Sequence, residues 1–298
     1  MTEIDSETRG ISAVELTRRS RSNFALSFAF LSKPRRRGIA AIYAFCRAAD
    51  DAVDETDTAD DAIRLLKFWR QELSVAAGEK PGVAQSEIGR DLAQTIDAFA
   101  VPAKHLHAVL DGCERDLAGA TYADLEATEG YCALVASAVG LACLPVFGVS
   151  EARAGRYADR LGKALQWTNI LRDLREDAKI GRYYVPAECL LRHRVEPSWL
   201  AGEGPDAAYA DGGAIDGLVR ELAVVAHQHF DEAARELDQL ASERRRLLAA
   251  EVMGAVYAEV LRLVEQRRGR IRSDERLRIP KPRKLMLAAR TWIAGRRP

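Results

Sequence analysis

Apolar residues recur along this chain at intervals of three and four, and runs that alternate with period two are scarce. Leu92, Ile96 and Phe99 mark one helical face. Leu218, Leu222, Val225, His229 and Ala233 mark a second, and Val256, Val260, Leu263 and Val264 a third. Ala, Leu, Arg and Glu, all strong helix formers, dominate the composition between them. Breaks are predicted near Ser32-Lys33-Pro34, Gly78 to Gly82, Ala100 to Pro102, Phe147 to Ser150 and Gly181 to Pro186. The glycine-rich stretch from Ala201 to Gly217 is expected to be an exposed loop. The pattern predicts an all-α fold, one domain over 1–298, of roughly ten or more helices around a central cavity.

Composition narrows this little. Forty-four basic residues balance 44 acidic ones, so no global field points to nucleic acid. Locally the acids gather after Asp50, and the tail from Arg267 is rich in Arg and Lys. The five cysteines are odd in number and include no CxxC, which reads as reduced thiols in a cytoplasmic protein. The polar N-terminus is not expected to be a secretory signal, and no run of about 18 uncharged apolar residues is expected, so no segment is expected to span a membrane.

Two acidic clusters carry the chemistry. The first is Asp50-Asp51-Ala52-Val53-Asp54, and the second Asn169-Ile-Leu-Arg172-Asp173-Leu-Arg-Glu176-Asp177. On a helix, residues four apart face the same way with roughly 6 Å between Cβ atoms. Asp50 and Asp54 therefore form one oxygen-lined claw, and Asn169, Asp173 and Asp177 a longer one. Mg²⁺ takes one or two carboxylates plus substrate phosphates, which suits two separated claws better than a cage. Each cluster alone also reads as a solvated helix face. Their flanks, Tyr43, Phe45 and Cys46 beside the first and Leu165, Trp167, Ile170 and Leu171 around the second, belong to helices built for burial.

These residues resemble the squalene/phytoene synthase family of head-to-head prenyl transferases over nearly the whole chain. The resemblance rests on Tyr43-Ala-Phe-Cys-Arg47-Ala-Ala-Asp50-Asp51-Ala-Val-Asp54-Glu55 and Gln166-Trp-Thr-Asn169-Ile-Leu-Arg172-Asp173-Leu-Arg-Glu-Asp177. Gly181-Arg182-Tyr-Tyr184-Val-Pro186, Tyr131 to Gly140 and Lys281-Pro-Arg-Lys284-Leu fit as well. It implies an isoprenoid synthase fold with the claws on opposite walls of a hydrophobic cavity. It implies that Asp50, Asp54, Asn169, Asp173 and Asp177 hold two or three Mg²⁺ ions, the four aspartates being catalytic. Arg47, Arg172 and Arg182 would meet diphosphate, and Tyr43, Gln166 and Tyr184 would line or gate the cavity. Val135, Ala136 and Gly140 would leave room for a prenyl chain. Ser22 and Phe24 carry over as substrate-site candidates, although Asn23 replaces a serine and the family's early tyrosines are absent. Asp116, in Cys113-Glu-Arg-Asp116, is a further candidate with a structural ion pair as its alternative.

Within the family, the motifs look most like bacterial members of hopanoid pathways, which join two farnesyl diphosphates and stop at presqualene diphosphate. Phytoene synthesis from two geranylgeranyl diphosphates is the alternative, as is squalene synthesis, which needs NADPH. NADPH is not expected, since Gly202-x-Gly204-x-x-Ala207 is a partial dinucleotide fingerprint with no strand before it. A non-catalytic relative should lose claw residues first, and all five are present. The five histidines have no metal-ligand spacing. In the tail 280–298, Leu285, Ala288, Ala289, Trp292 and Ile293 form a stripe with Arg283, Arg290, Arg296 and Arg297 elsewhere, which suits a membrane surface or a cap on the core.

Overall fold

A computed structural model describes residues 31–272, 277 and 279–294; Ser22, Asn23, Phe24, Arg296 and Arg297 lie outside them. The expected all-α fold is met: among the described residues the only pairing of extended backbone is an isolated parallel bridge between Thr121 and Tyr183. Helices α1 (Lys33–Asp54), α2 (Ala59–Ala76), α3 (Glu87–Phe99) and α4 (Ala103–Leu117) come first. Then follow α5 (Leu125–Cys132), a π-helical segment (Ala133–Ser137), α6 (Ala138–Phe147) and α7 (Glu151–Lys179). Two short helices, α8 (Ala187–His193) and α9 (Pro197–Leu200), precede α10 (Ala214–Asp238), α11 (Leu248–Arg267) and α12 (Lys281–Ala294).

Local chemistry sets these limits. Pro34 opens α1 in its first turn, where no amide hydrogen bond is lost. Ser86 Oγ accepts from Gly89 N at 2.9 Å, and Asp124 Oδ1 from Ala127 N at 2.8 Å, capping α3 and α5. Gly148 ends α6 in the left-handed region at φ 78°.

Two apolar clusters fill the interior. One gathers Phe45, Trp69, Leu73, Leu92, Leu106 and Leu110 from α1 to α4; the other gathers Trp167, Ile170, Leu218, Leu222, Val256 and Val260 from α7, α10 and α11. Helix α7 belongs to both, through Tyr157 and Leu161 near its start and Trp167 to Leu174 farther on. It is the spine on which the second claw is mounted.

Three expectations are corrected. The stretch Leu125–Phe147 is helical throughout and is long and apolar enough by composition to cross a membrane. It packs on α4 and α7, so its apolarity serves the interior. The stretch from Ala201 is not simply an exposed loop. Ala208 and Tyr209 are buried, Tyr209 Oη donates to Trp199 O at 2.7 Å, Arg272 stacks over its ring, and Ala214 already begins α10. The stripe in the tail is split: Leu287, Ala288 and Trp292 turn inward, whereas Leu285, Met286, Ala289 and Ile293 face outward.

Candidate active site

Along α1, Tyr43, Cys46 and Arg47 are partly exposed and Asp50 and Asp54 exposed, while Ile42, Ala44, Phe45, Ala48, Ala49 and Ala52 are buried. On α7, Leu165, Gln166, Asn169, Arg172, Asp173 and Asp177 are partly open between buried Trp167, Thr168, Ile170, Leu171 and Leu174. Both stripes have helical spacing, and both end in the last turns of their helices. The free carbonyls there favour cations over anions.

The two claws lie close together. Arg182, just after α7, places Nη1 2.6 Å from Asp54 Oδ1 at the end of α1. Asp116 on α4 stands between the claws, close enough to raise the pKa of both Asp50 and Asp177. Its carboxylate accepts from Tyr131 Oη at 2.8 Å and Tyr184 Oη at 2.9 Å. Those two rings stack with centroids 4.9 Å apart, and Tyr122 completes the aromatic group. Asp116 is thus fixed by phenols rather than by the alternative ion pair.

The carboxylates are held against their preference for ionisation. Burial, then the charge of Asp54, pushes Asp50 up to about 7, with Arg47 opposing. Burial, then Asp173, pushes Asp177 up to about 8, with Arg182 opposing. Asp50 is nonetheless accessible to solvent. Cys113 Sγ lies 4.0 Å from Asp50 Oδ1 on the same wall.

Other predicted residues have mixed placements. Arg47 pairs with Asp51 at 2.5 Å and Glu55 at 3.3 Å, and Arg172 chelates its neighbour Asp173 with Nε to Oδ1 at 2.8 Å. Asn169 Nδ2 donates to Gln166 Oε1 at 3.2 Å. Val135 and Ala136 lie in the π segment and are partly open. The smallness of Gly140 is otherwise used: a Cβ there would meet Ala158 O at 3.2 Å, so the glycine lets α6 approach α7.

Two glycines that the motifs did not single out hold the π segment in place. A Cβ on Gly112 of α4 would sit 2.4 Å from Val135 Cγ1, and one on Gly162 of α7 would sit 2.6 Å from both N and Cα of Ser137. Ser137 Oγ donates to Asp159 O at 2.9 Å, fixing the segment to α7. π-Helical turns inside α-helices are rare and occur frequently at functional sites.

The donor set suits hard cations, being all oxygen, and Asn169 Oδ1 is buried with no hydrogen-bond partner. No three carboxylate, imidazole or thiol groups converge into a cage among the described residues. That is the arrangement expected where substrate phosphates complete the coordination.

A helical bundle with two such carboxylate helices at one end of an apolar interior defines an isoprenoid synthase. Residues 17–283 match the squalene/phytoene synthase family, and the chain belongs to it. It is 32% identical to presqualene diphosphate synthase of Rhodopseudomonas palustris, over 82% of this chain and 83% of the relative. It is 34% identical to presqualene diphosphate synthase of Zymomonas mobilis, over 86% and 84%. The crystal structure of a dehydrosqualene synthase in complex with ligand superposes with a TM-score of 0.81 at 26% identity, covering 95% of this chain and 94% of that one. The protein is an enzyme, a prenyl transferase of the head-to-head type.

Proposed function

We propose that the enzyme joins two farnesyl diphosphates into presqualene diphosphate in the cytoplasm, with Mg²⁺ as cofactor. The observation that carries the reading is the bridge from Arg182 to Asp54, which sets both claws around one space. The relatives named presqualene diphosphate synthase support the choice of product.

Asp50 and Asp54 on one wall, and Asn169, Asp173 and Asp177 on the other, would hold two or three ions. Bound there, the ions supply Lewis acidity toward the departing diphosphate. Arg182, Arg172 and Arg47 offer guanidinium forks to diphosphate oxygens as those oxygens gain charge. The C–O bond of one substrate breaks, and its electron pair leaves with the diphosphate. The C2–C3 double bond of the second substrate attacks the allyl cation, and loss of one proton closes the cyclopropane. Asp116, fixed by Tyr131 and Tyr184, presents a carboxyl group beside the cationic centre. The stacked, buried rings of Tyr131 and Tyr184 exclude water from the carboxylate that they hold. Tyr43 and Gln166 line the space, and Val135 and Ala136 wall the prenyl chains. The sequence stops short of reduction and uses no NADPH.

The test is incubation with farnesyl or geranylgeranyl diphosphate and Mg²⁺, with and without NADPH, followed by mass analysis. Presqualene diphosphate from farnesyl diphosphate, with or without NADPH, is expected. Phytoene from geranylgeranyl diphosphate alone, or squalene only with NADPH, overturns the reading.

The outer face of α12, with Leu285, Met286 and Ile293 among Lys281, Arg283 and Arg290, is proposed to rest on the membrane that takes up the prenyl chains of the amphipathic product. Liposome flotation with and without residues 280–298 tests this. Equal flotation overturns it.

A further inference from the structure

Two arginine runs distant in sequence meet at the end of the bundle remote from the carboxylates. Lys33-Pro34-Arg35-Arg36-Arg37 opens α1, and Arg244-Arg245-Arg246 forms a single 3₁₀ turn before α11. Their meeting point is Gly148. Arg246 Nη1 donates to Gly148 O at 2.8 Å, and a Cβ at Gly148 would lie 2.7 Å from Arg35 Nη2 and 3.9 Å from Arg246 Cδ.

Among the described residues, few carboxylates pair with this charge. Arg244 pairs with Glu251 at 3.0 Å and Asp238 at 3.7 Å. Lys33, Arg35, Arg37 and Arg245 pair with no carboxylate among the described residues, and Lys33, Arg36, Arg37, Arg245 and Arg246 are exposed. Like charges gathered in this way repel one another unless an anion lies across them. Arginine, rather than lysine, predominates, and its planar fork matches phosphate oxygens.

The location identifies the anion's source. Helix α1 runs from this patch to Asp50, roughly 25 Å at about 1.5 Å per residue. Helix α6 runs from the π segment to Gly148, and Val139, Gly140, Leu141 and Cys143 stay partly open along it. The patch therefore closes the apolar end of the bundle, opposite the carboxylates. Neither arginine run contributes a large exposed apolar side chain, and the α6–α7 turn contributes none. A protein interface is normally centred on such anchors, whereas a lipid headgroup layer needs none.

We infer that the face formed by Lys33, Arg35, Arg37, Arg245 and Arg246 docks on an anionic bilayer surface, its guanidinium groups on lipid phosphates. The apolar end of the cavity then abuts the membrane. That last consequence rests on the proposed reaction; the docking itself does not.

The experiment is co-sedimentation of the full chain with phosphatidylcholine vesicles, with and without phosphatidylglycerol, at low and high salt. The double variant Arg37→Glu/Arg245→Glu alters two exposed side chains with no carboxylate partner among the described residues, so circular dichroism and Tm should be unchanged. Wild-type protein is expected to bind only the anionic vesicles and to be released by salt. The variant should bind at least about tenfold more weakly. If charge reversal perturbs the fold, Arg37→Gln/Arg245→Gln gives the same readout. Binding by a folded variant within about twofold of wild type, or equal wild-type binding to neutral vesicles, overturns the inference. Turnover in detergent, assayed separately, keeps a failure of docking distinct from a failure of the reaction.

Discussion

Arg182 Nη1 lies 2.6 Å from Asp54 Oδ1, joining the segment after α7 to the last turn of α1. Burial raises the pKa of both Asp177 and Asp116, and the same guanidinium opposes that rise, so one cation serves three carboxylates from three parts of the chain. A diphosphate entering here meets Arg182 already oriented. Arg182→Ala should lower kcat/KM by ~10²–10³-fold, the usual cost of losing one preorganised donor to developing charge. Arg182→Lys should recover little, because a point charge does not reproduce the fork. Steady-state kinetics with farnesyl diphosphate measures both.

Asp116 is held by two phenols, so those tyrosines should matter to stability as well as to turnover. Tyr131→Phe or Tyr184→Phe removes one hydrogen bond of 2.8 or 2.9 Å while keeping the stacked ring. Each should cost about 1–2 kcal/mol in denaturant unfolding. The double variant, which leaves Asp116 without either partner, should lose more turnover than the product of the single losses. A strictly multiplicative result would show that Asp116 does not couple them.

The π segment gives a contrast between two glycines. At Gly162 an added methyl would press on the backbone of Ser137, which cannot rotate away. At Gly112 it would press on Val135 Cγ1, a side chain that can. Gly162→Ala should therefore destabilise by about 1–3 kcal/mol and disturb chain-length selection. Gly112→Ala should cost less and show mainly as a raised KM. Thermal melts and competition between farnesyl and geranylgeranyl diphosphate distinguish the two.

Asp50 and Asp177 titrate in the folded protein near 7 and 8, against an ordinary value of 3.8. The fold therefore binds more protons than the unfolded chain between about pH 4 and 8. Stability without Mg²⁺ should fall as pH rises through that window. Cation binding must displace those protons, so it strengthens with pH. The Tm increase on adding Mg²⁺ with inorganic diphosphate should be larger at pH 8.5 than at pH 6. An increase independent of pH contradicts these assignments.

Much of this was legible in the residues themselves. Spacing of four within Asp50/Asp54 and Asn169/Asp173/Asp177 is a local property, and helices express it directly. The breaks at Pro34, Gly148 and Gly181 are equally local. Asp116 acquires its role only through Tyr131 and Tyr184, 15 and 68 residues away, a relationship that periodicity cannot reveal. Gly112 and Gly162 are ordinary helical glycines until a third element is brought against them. The uncharged stretch ending at Phe147 looks like a membrane span to composition, because an apolar cavity wall and a lipid-facing helix use the same side chains.

The most direct measurement is product formation by Asp54→Ala and Asp173→Ala with farnesyl diphosphate and Mg²⁺, alongside circular dichroism. Each variant takes one carboxylate from a different claw and lies on the cavity side of its helix. Loss of ~10²–10³-fold or more in turnover, with the helical signal unchanged, is the predicted result for both. Near-normal product from either folded variant would contradict the claim that two opposed claws act on one pair of diphosphates.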